Sequence, residues 1–123
     1  MLRLAVLFSL ALTTAASAQT NRTELKKADL TGTDMEVIVA VVEVPPGNSL
    51  PRHSHNGEEA VYVLEGATLL LPDGSERQFP TGAAVINVRD VAHGGFKVGG
   101  DKPLKMLTVH IVDKGKPLIV PAK

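Results

Sequence analysis

Three good metal donors, His53, His55 and Glu59, fall within seven residues of a 123-residue chain. On an extended strand successive side chains point to opposite faces, so two histidines two apart project the same way and can share one ion. A turn at Asn56-Gly57 would return the chain, and Glu59, which opens the apolar run Ala60 to Leu64, would bring its carboxylate beside the imidazoles. The chain has no cysteine, so neither a thiol nucleophile nor a thiolate ligand is available. Imidazole and carboxylate donors suit first-row ions such as Fe, Mn, Ni, Zn or Cu; Ca and Mg prefer oxygen alone.

The elements that must carry these residues read as short strands. Met35 to Val44 is valine-rich and apolar on both faces, as expected of a strand covered on both sides, and Pro45-Pro46-Gly47 ends it. Leu50 to His55 follows as an extended piece, then Glu59 to Glu65, Ala67 to Leu71, Glu76 to Phe79, Ala83 to Val88 as a buried strand, and Leu104 to Val112. Between them, Pro72-Asp73-Gly74-Ser75 has hairpin-turn chemistry, because proline presets φ and glycine supplies a positive one. Short strands at regular intervals with Gly/Pro turns predict an all-β sandwich or barrel. Asn21 to Asp34 is polar and mixed, and reads as an arm packed on the barrel edge.

The spacing Gly47-x5-His53-x-His55-x3-Glu59-x6-Gly66 resembles the first motif of the cupins, and Gly74, Pro80, Gly82 and the late His93 resemble the second. Asn87-Val88 stands where small cupins often carry a proline. The resemblance covers roughly Val37 to Val112. It implies a single-domain double-stranded β-helix, a jelly-roll-like barrel, over residues 35–123 and one divalent transition metal held by His53, His55, Glu59 and His93. Six-coordinate, such an ion keeps two positions open to polarise a chelating substrate, activate water or, if iron, engage dioxygen. The function implied is a small metal-dependent enzyme of the dioxygenase, isomerase or lyase kind acting on a small polar molecule; the alternative is a cupin that binds a metal or small ligand without turnover.

Residues 1–18 read as a secretory signal peptide: Met1-Leu2-Arg3 is a positive start, Leu4 to Leu12 an apolar run too short to span a bilayer, and Ala16-Ser17-Ala18 a cleavage pattern. The mature chain would begin at Gln19 with an arm over 19–34, and would be periplasmic or secreted, with no stable membrane anchor. Removing Arg3 from 13 Lys+Arg leaves 12 against 13 Asp+Glu, a net charge near −1 with no basic block. An aromatic content of 3% leaves no platform for stacking bases, so nucleic acid is excluded as a partner.

Other polar residues read less sharply. Tyr62 points away from the metal by alternation, as a core or interface residue. His110 shares a face with Met106 and Thr108 and reads as a packed histidine ahead of one lining the cavity mouth. Phe96 and Lys97 would face the cavity, Arg52 and Arg89 are candidates for bidentate carboxylate recognition against a default of surface solvation, and Glu58 would be solvated or a substitute for Glu59. The apolar outer face of Val37 to Val44 suggests cover by a second subunit, and the resemblance likewise implies a homodimer.

Overall fold

The structure is a computed structural model that describes residues 19–123. The leader reading at 1–18 lies outside the described residues. All regular structure among them is β: β1 (Asn21–Asp29), β2 (Met35–Val44), β3 (Ser49–Leu50), β4 (His53–Ser54), β5 (Gly57–Glu65), β6 (Ala67–Leu70), β7 (Glu76–Phe79), β8 (Ala84–Asn87), β9 (Phe96–Val98), β10 (Leu104–Asp113) and β11 (Val120–Pro121). Every pairing is antiparallel. One sheet runs β1-β2-β10-β5-β8, a second β3-β9-β6-β7, and a two-stranded piece joins β11 to β4.

Sequence alternation sets which face each strand buries. On β5, Glu59, Val61 and Val63 turn inward while Ala60, Tyr62 and Leu64 are exposed; on β10, Leu104, Met106, Thr108, His110 and Val112 are all buried. A slip of one residue would turn every one of these outward, so the apolar pattern fixes the register. The inner rows of the two larger sheets meet in a core of Val44, Val61, Val63, Leu69, Val98, Leu104 and Met106. That core closes one end of the barrel and leaves the polar inward residues of β5 and β10 grouped toward the other.

Three expectations are revised. The segment Asn21 to Asp34 contains a nine-residue strand, β1, hydrogen-bonded along β2 from Asn21↔Glu43 to Asp29↔Glu36 with a bulge between Glu24 and Lys26. The piece Leu50 to His55 is split into β3 and β4 around Pro51-Arg52, because proline has no N–H to donate to a ladder. Ala83 to Val88, expected to be buried, is the edge strand β8, where Ala84, Val85 and Ile86 are exposed and Ile86 reaches 70%.

Candidate metal centre

All four histidines of the chain meet in one place. Ring centroids of His53 and His55 are 4.9 Å apart, His53 and His93 4.5 Å, His55 and His93 4.9 Å, and His55 and His110 4.6 Å. His53 stands on β4 and His55 just past its end. His93 is delivered by the loop after β8 and is tied to His53 by paired backbone hydrogen bonds, N–H to carbonyl, at 2.9 and 2.8 Å. Glu59 is on β5 and His110 faces it from β10 as its direct cross-strand partner.

Backbone carbonyls orient three of the rings. Nδ1 of His53 bonds to the carbonyl of Pro51 at 2.7 Å, that of His55 to Leu118 at 2.6 Å, and that of His93 to Val91 at 3.1 Å. A carbonyl only accepts, so each Nδ1 carries the proton and each Nε2 keeps its lone pair for the centre; this is how outer hydrogen bonds set the tautomer of a metal-ligating imidazole. Nε2 of His55 and His93 then face each other at 3.1 Å, and Oε2 of Glu59 lies 3.3 Å from both. Lone pairs that close repel unless a positive charge sits among them. Ligands bonded to an ion at about 2.1 Å are separated by about 3.0 Å at right angles and about 3.4 Å at tetrahedral angles, so the observed spacings fit a bound transition metal. Donor atoms of His53, His55 and His93 lie within 4.8 Å of one another, as do those of His55, Glu59 and His110.

His110 differs from the other three rings. Its Nε2 is 3.3 Å from Oε1 of Glu59, and its Nδ1 is buried without a partner. A bare ring lone pair is cheaper to bury than an unpaired N–H, which places the proton on Nε2, donating to Glu59. On the other side Asn87 Nδ2 donates to Oε2 of Glu59 at 2.7 Å, again from a direct cross-strand position, Glu59↔Asn87. His110 is buried, as the packed reading expected, and it also lines the cavity, where it acts as a support for Glu59.

Electrostatics follow from these contacts. Burial would raise the Glu59 carboxyl, but the contacts with His110, His55 and Asn87 hold it well below the usual carboxylate range. Burial pushes His53 down, helped by the neighbouring His93 and His55. At His55 burial pulls the same way, yet the Glu59 carboxylate and the Leu118 carbonyl favour the protonated ring enough to outweigh it, and the ring is raised. The site therefore attracts a cation, and proton and metal compete for it.

The centre forms the floor of a cavity of about 340 Å³ whose apolar walls include Val42, Leu50, Leu69, Phe79, Phe96 and Met106. Phe96 faces it as expected, whereas Lys97 is exposed on β9. Arg89 does bind a carboxylate in bidentate fashion, but that of Asp113, at 2.9 Å through each nitrogen. Arg52 is exposed and Tyr62 sits on the outer face, 49% exposed. Glu58 flanks the cluster without joining it. Arg22 of β1, to which the sequence drew no attention, lines the cavity.

Among curated proteins no relative matches the chain. Among solved structures, the polyketide cyclase RemF from Streptomyces resistomycificus is 30% identical, with a TM-score of 0.62 over 85% of this chain and 72% of that one. An uncharacterised protein with a double-stranded β-helix domain from Klebsiella pneumoniae shares the fold at 17% identity, TM-score 0.64, over 89% of each chain. The DMSP lyase DddQ from Ruegeria pomeroyi shares it at 22% identity and TM-score 0.56; the matched region spans 85% of this chain and about half, 52%, of that lyase. The cupin domain family matches residues 40–110, which hold all four histidines and Glu59. The chain belongs to the cupin family.

Proposed function

We propose that the protein is a mononuclear metal-dependent enzyme in which His53, His55, Glu59 and His93 hold one divalent ion of Fe, Mn, Ni, Zn or Cu, and which acts on a small polar molecule bound in the cavity. The observation that carries this reading is the set of three Nδ1–H···carbonyl bonds, which prepare three Nε2 lone pairs for one ion. Bound there, the ion supplies Lewis acidity to a chelating substrate. The protein's own part is to fix the imidazoles by backbone carbonyls, to hold Glu59 between His110 and Asn87, and to line the chamber with apolar side chains that limit water. The likeness at 30% identity to a protein named as a polyketide cyclase supports bond rearrangement in a small molecule over a purely storage role.

Turnover tests this. The protein loaded in turn with each candidate metal is incubated with diketones, catechols and hydroxy acids, and product formation and dioxygen uptake are followed. Conversion that is lost in Glu59→Ala supports the enzyme; tight metal binding with no conversion of any compound favours the alternative, a metal- or ligand-binding cupin.

The proposal extends to assembly and location. The outer face of the five-stranded sheet carries Val39, Val41, Tyr62, Ile86, Leu107 and Val109 in adjacent cross-strand positions. A broad apolar face of this kind suits a second copy of the chain, as a homodimer. The leader at 1–18 would direct the protein to the periplasm or outside the cell, and intact-mass measurement of protein recovered there should correspond to a chain starting at Gln19.

A further inference from the structure

Arg22 is a half-buried cation with no carboxylate partner among the described residues. Its pairing with Val42, itself paired with Met106, places it in the inward row of the five-stranded sheet, and it lines the same cavity as the metal cluster. Its Nε and Nη2 are buried and meet no acceptor among the described residues. A buried donor left unmet is costly, and more so when charged, so a guanidinium in this position needs a structural explanation that packing alone does not give. From the opposite sheet Arg77 lines the cavity as well; it is exposed and makes no ion pair among the described residues. Arg89, by contrast, spends both ends of its fork on Asp113.

Resting on the metal-dependent reading above, we infer that Arg22 is the anchor for a carboxylate on the substrate, which is therefore a small monoanionic molecule. One end presents a carboxylate to the guanidinium fork, the other a chelating group to the metal, with an apolar body between them against Val42, Leu69, Phe96 and Met106. A planar guanidinium matches the two oxygens of a carboxylate in parallel hydrogen bonds. A volume of about 340 Å³ is at the lower end for ligand sites and limits the occupant to one small molecule. Arg77, in contact with solvent, adds long-range attraction and a weaker contact.

The test uses calorimetry on the zinc-loaded protein with acetohydroxamate, which engages only the metal, and with a short series of ω-carboxyalkyl hydroxamates and their methyl esters. The best acid of the series should bind at least about tenfold tighter than its ester, a difference of about 1.4 kcal/mol. This preference should vanish in Arg22→Gln, survive in part in Arg22→Lys and fall less in Arg77→Gln. Equal binding of acid and ester across the series, or a preference unchanged in Arg22→Gln, overturns the assignment while leaving the metal reading in place. If acetohydroxamate and the whole series fail to bind, it is the metal reading that falls. Arg22 is then judged on the metal-free protein with hexanoate against hexanamide: tighter binding of hexanoate that depends on Arg22 upholds the anion site, and no difference between the two removes it.

Discussion

His110 and Glu59 are direct cross-strand partners on β10 and β5, with Nε2 of the imidazole 3.3 Å from Oε1 of the carboxylate. Asn87 completes the row from β8, donating to Oε2 at 2.7 Å. A carboxylate held from both sides loses little freedom on binding an ion, and partners of this kind commonly account for 10- to 100-fold in metal affinity.

Asn87→Ala should accordingly weaken metal binding by about 10- to 100-fold. Asn87 lies on an edge strand away from the main core, so the melting temperature of the metal-free protein should change little. Chelator competition measures the first quantity and thermal unfolding the second. Unchanged metal affinity would show that Glu59 needs no such support.

Gly94 has φ of +75°, and a Cβ built there would lie 2.9 Å from the Pro51 carbonyl oxygen and 3.3 Å from Nδ1 of His53. Those two atoms form the hydrogen bond that orients the His53 ring. Gly94→Ala should therefore cost about 1–3 kcal/mol of stability from backbone strain and also lower metal affinity. Denaturant unfolding and metal titration on the same sample check both effects. Loss of stability with affinity intact would mean that the His53 orientation does not depend on this approach.

Arg89, in bidentate contact, and Lys116, at 2.8 Å, hold the Asp113 carboxyl below its ordinary range. A folded-state value depressed in this way stabilises the fold at pH above the unfolded carboxyl value of about 3.9, and the contribution is lost as pH falls from there through the folded value. Asp113→Asn should lower the melting temperature near neutral pH, and the gap from the parent should narrow below about pH 4. A gap that stays constant down through the acid range would assign the effect to shape instead of charge.

Ile86, 70% exposed, and Tyr62, 49% exposed, belong to the outer apolar face, Ile86 on the edge strand β8 and Tyr62 on the neighbouring β5. Light scattering should give twice the chain mass at micromolar concentration. A charge at the centre of such a face typically costs about 2 kcal/mol or more, so Leu107→Asp, on the middle strand β10 between Val41 and Tyr62, should weaken the dimer by about thirtyfold or more. A parent protein that is monomeric at these concentrations would leave the face without the second subunit assigned to it.

Much of the site could be read from the chain because it depends on local spacing. His53, His55 and Glu59 lie close together in sequence, and the long alternating strands β5 and β10 show their inward rows plainly. What escaped depends on register between distant strands. His110 was placed on the correct face with Met106 and Thr108, but nothing local says that this face meets Glu59. Asn87 looked like a missing proline, and only the pairing of β8 with β5 gives it a role. β1 escaped as a strand because it is an edge element exposed along nearly its whole length, so no apolar period marks it; Arg22 was hidden with it. The Leu118 carbonyl, which orients His55, comes from a proline-punctuated tail with no pattern of its own.

Elemental analysis of protein purified with neither chelator nor affinity-column metal bears most directly on the four-residue centre. It should find close to one transition-metal ion per chain in the parent and almost none in the His53→Ala, His93→Ala double variant at equal folding. Full retention of the ion in that double variant, or a folded parent that takes up no ion from micromolar metal, would contradict it.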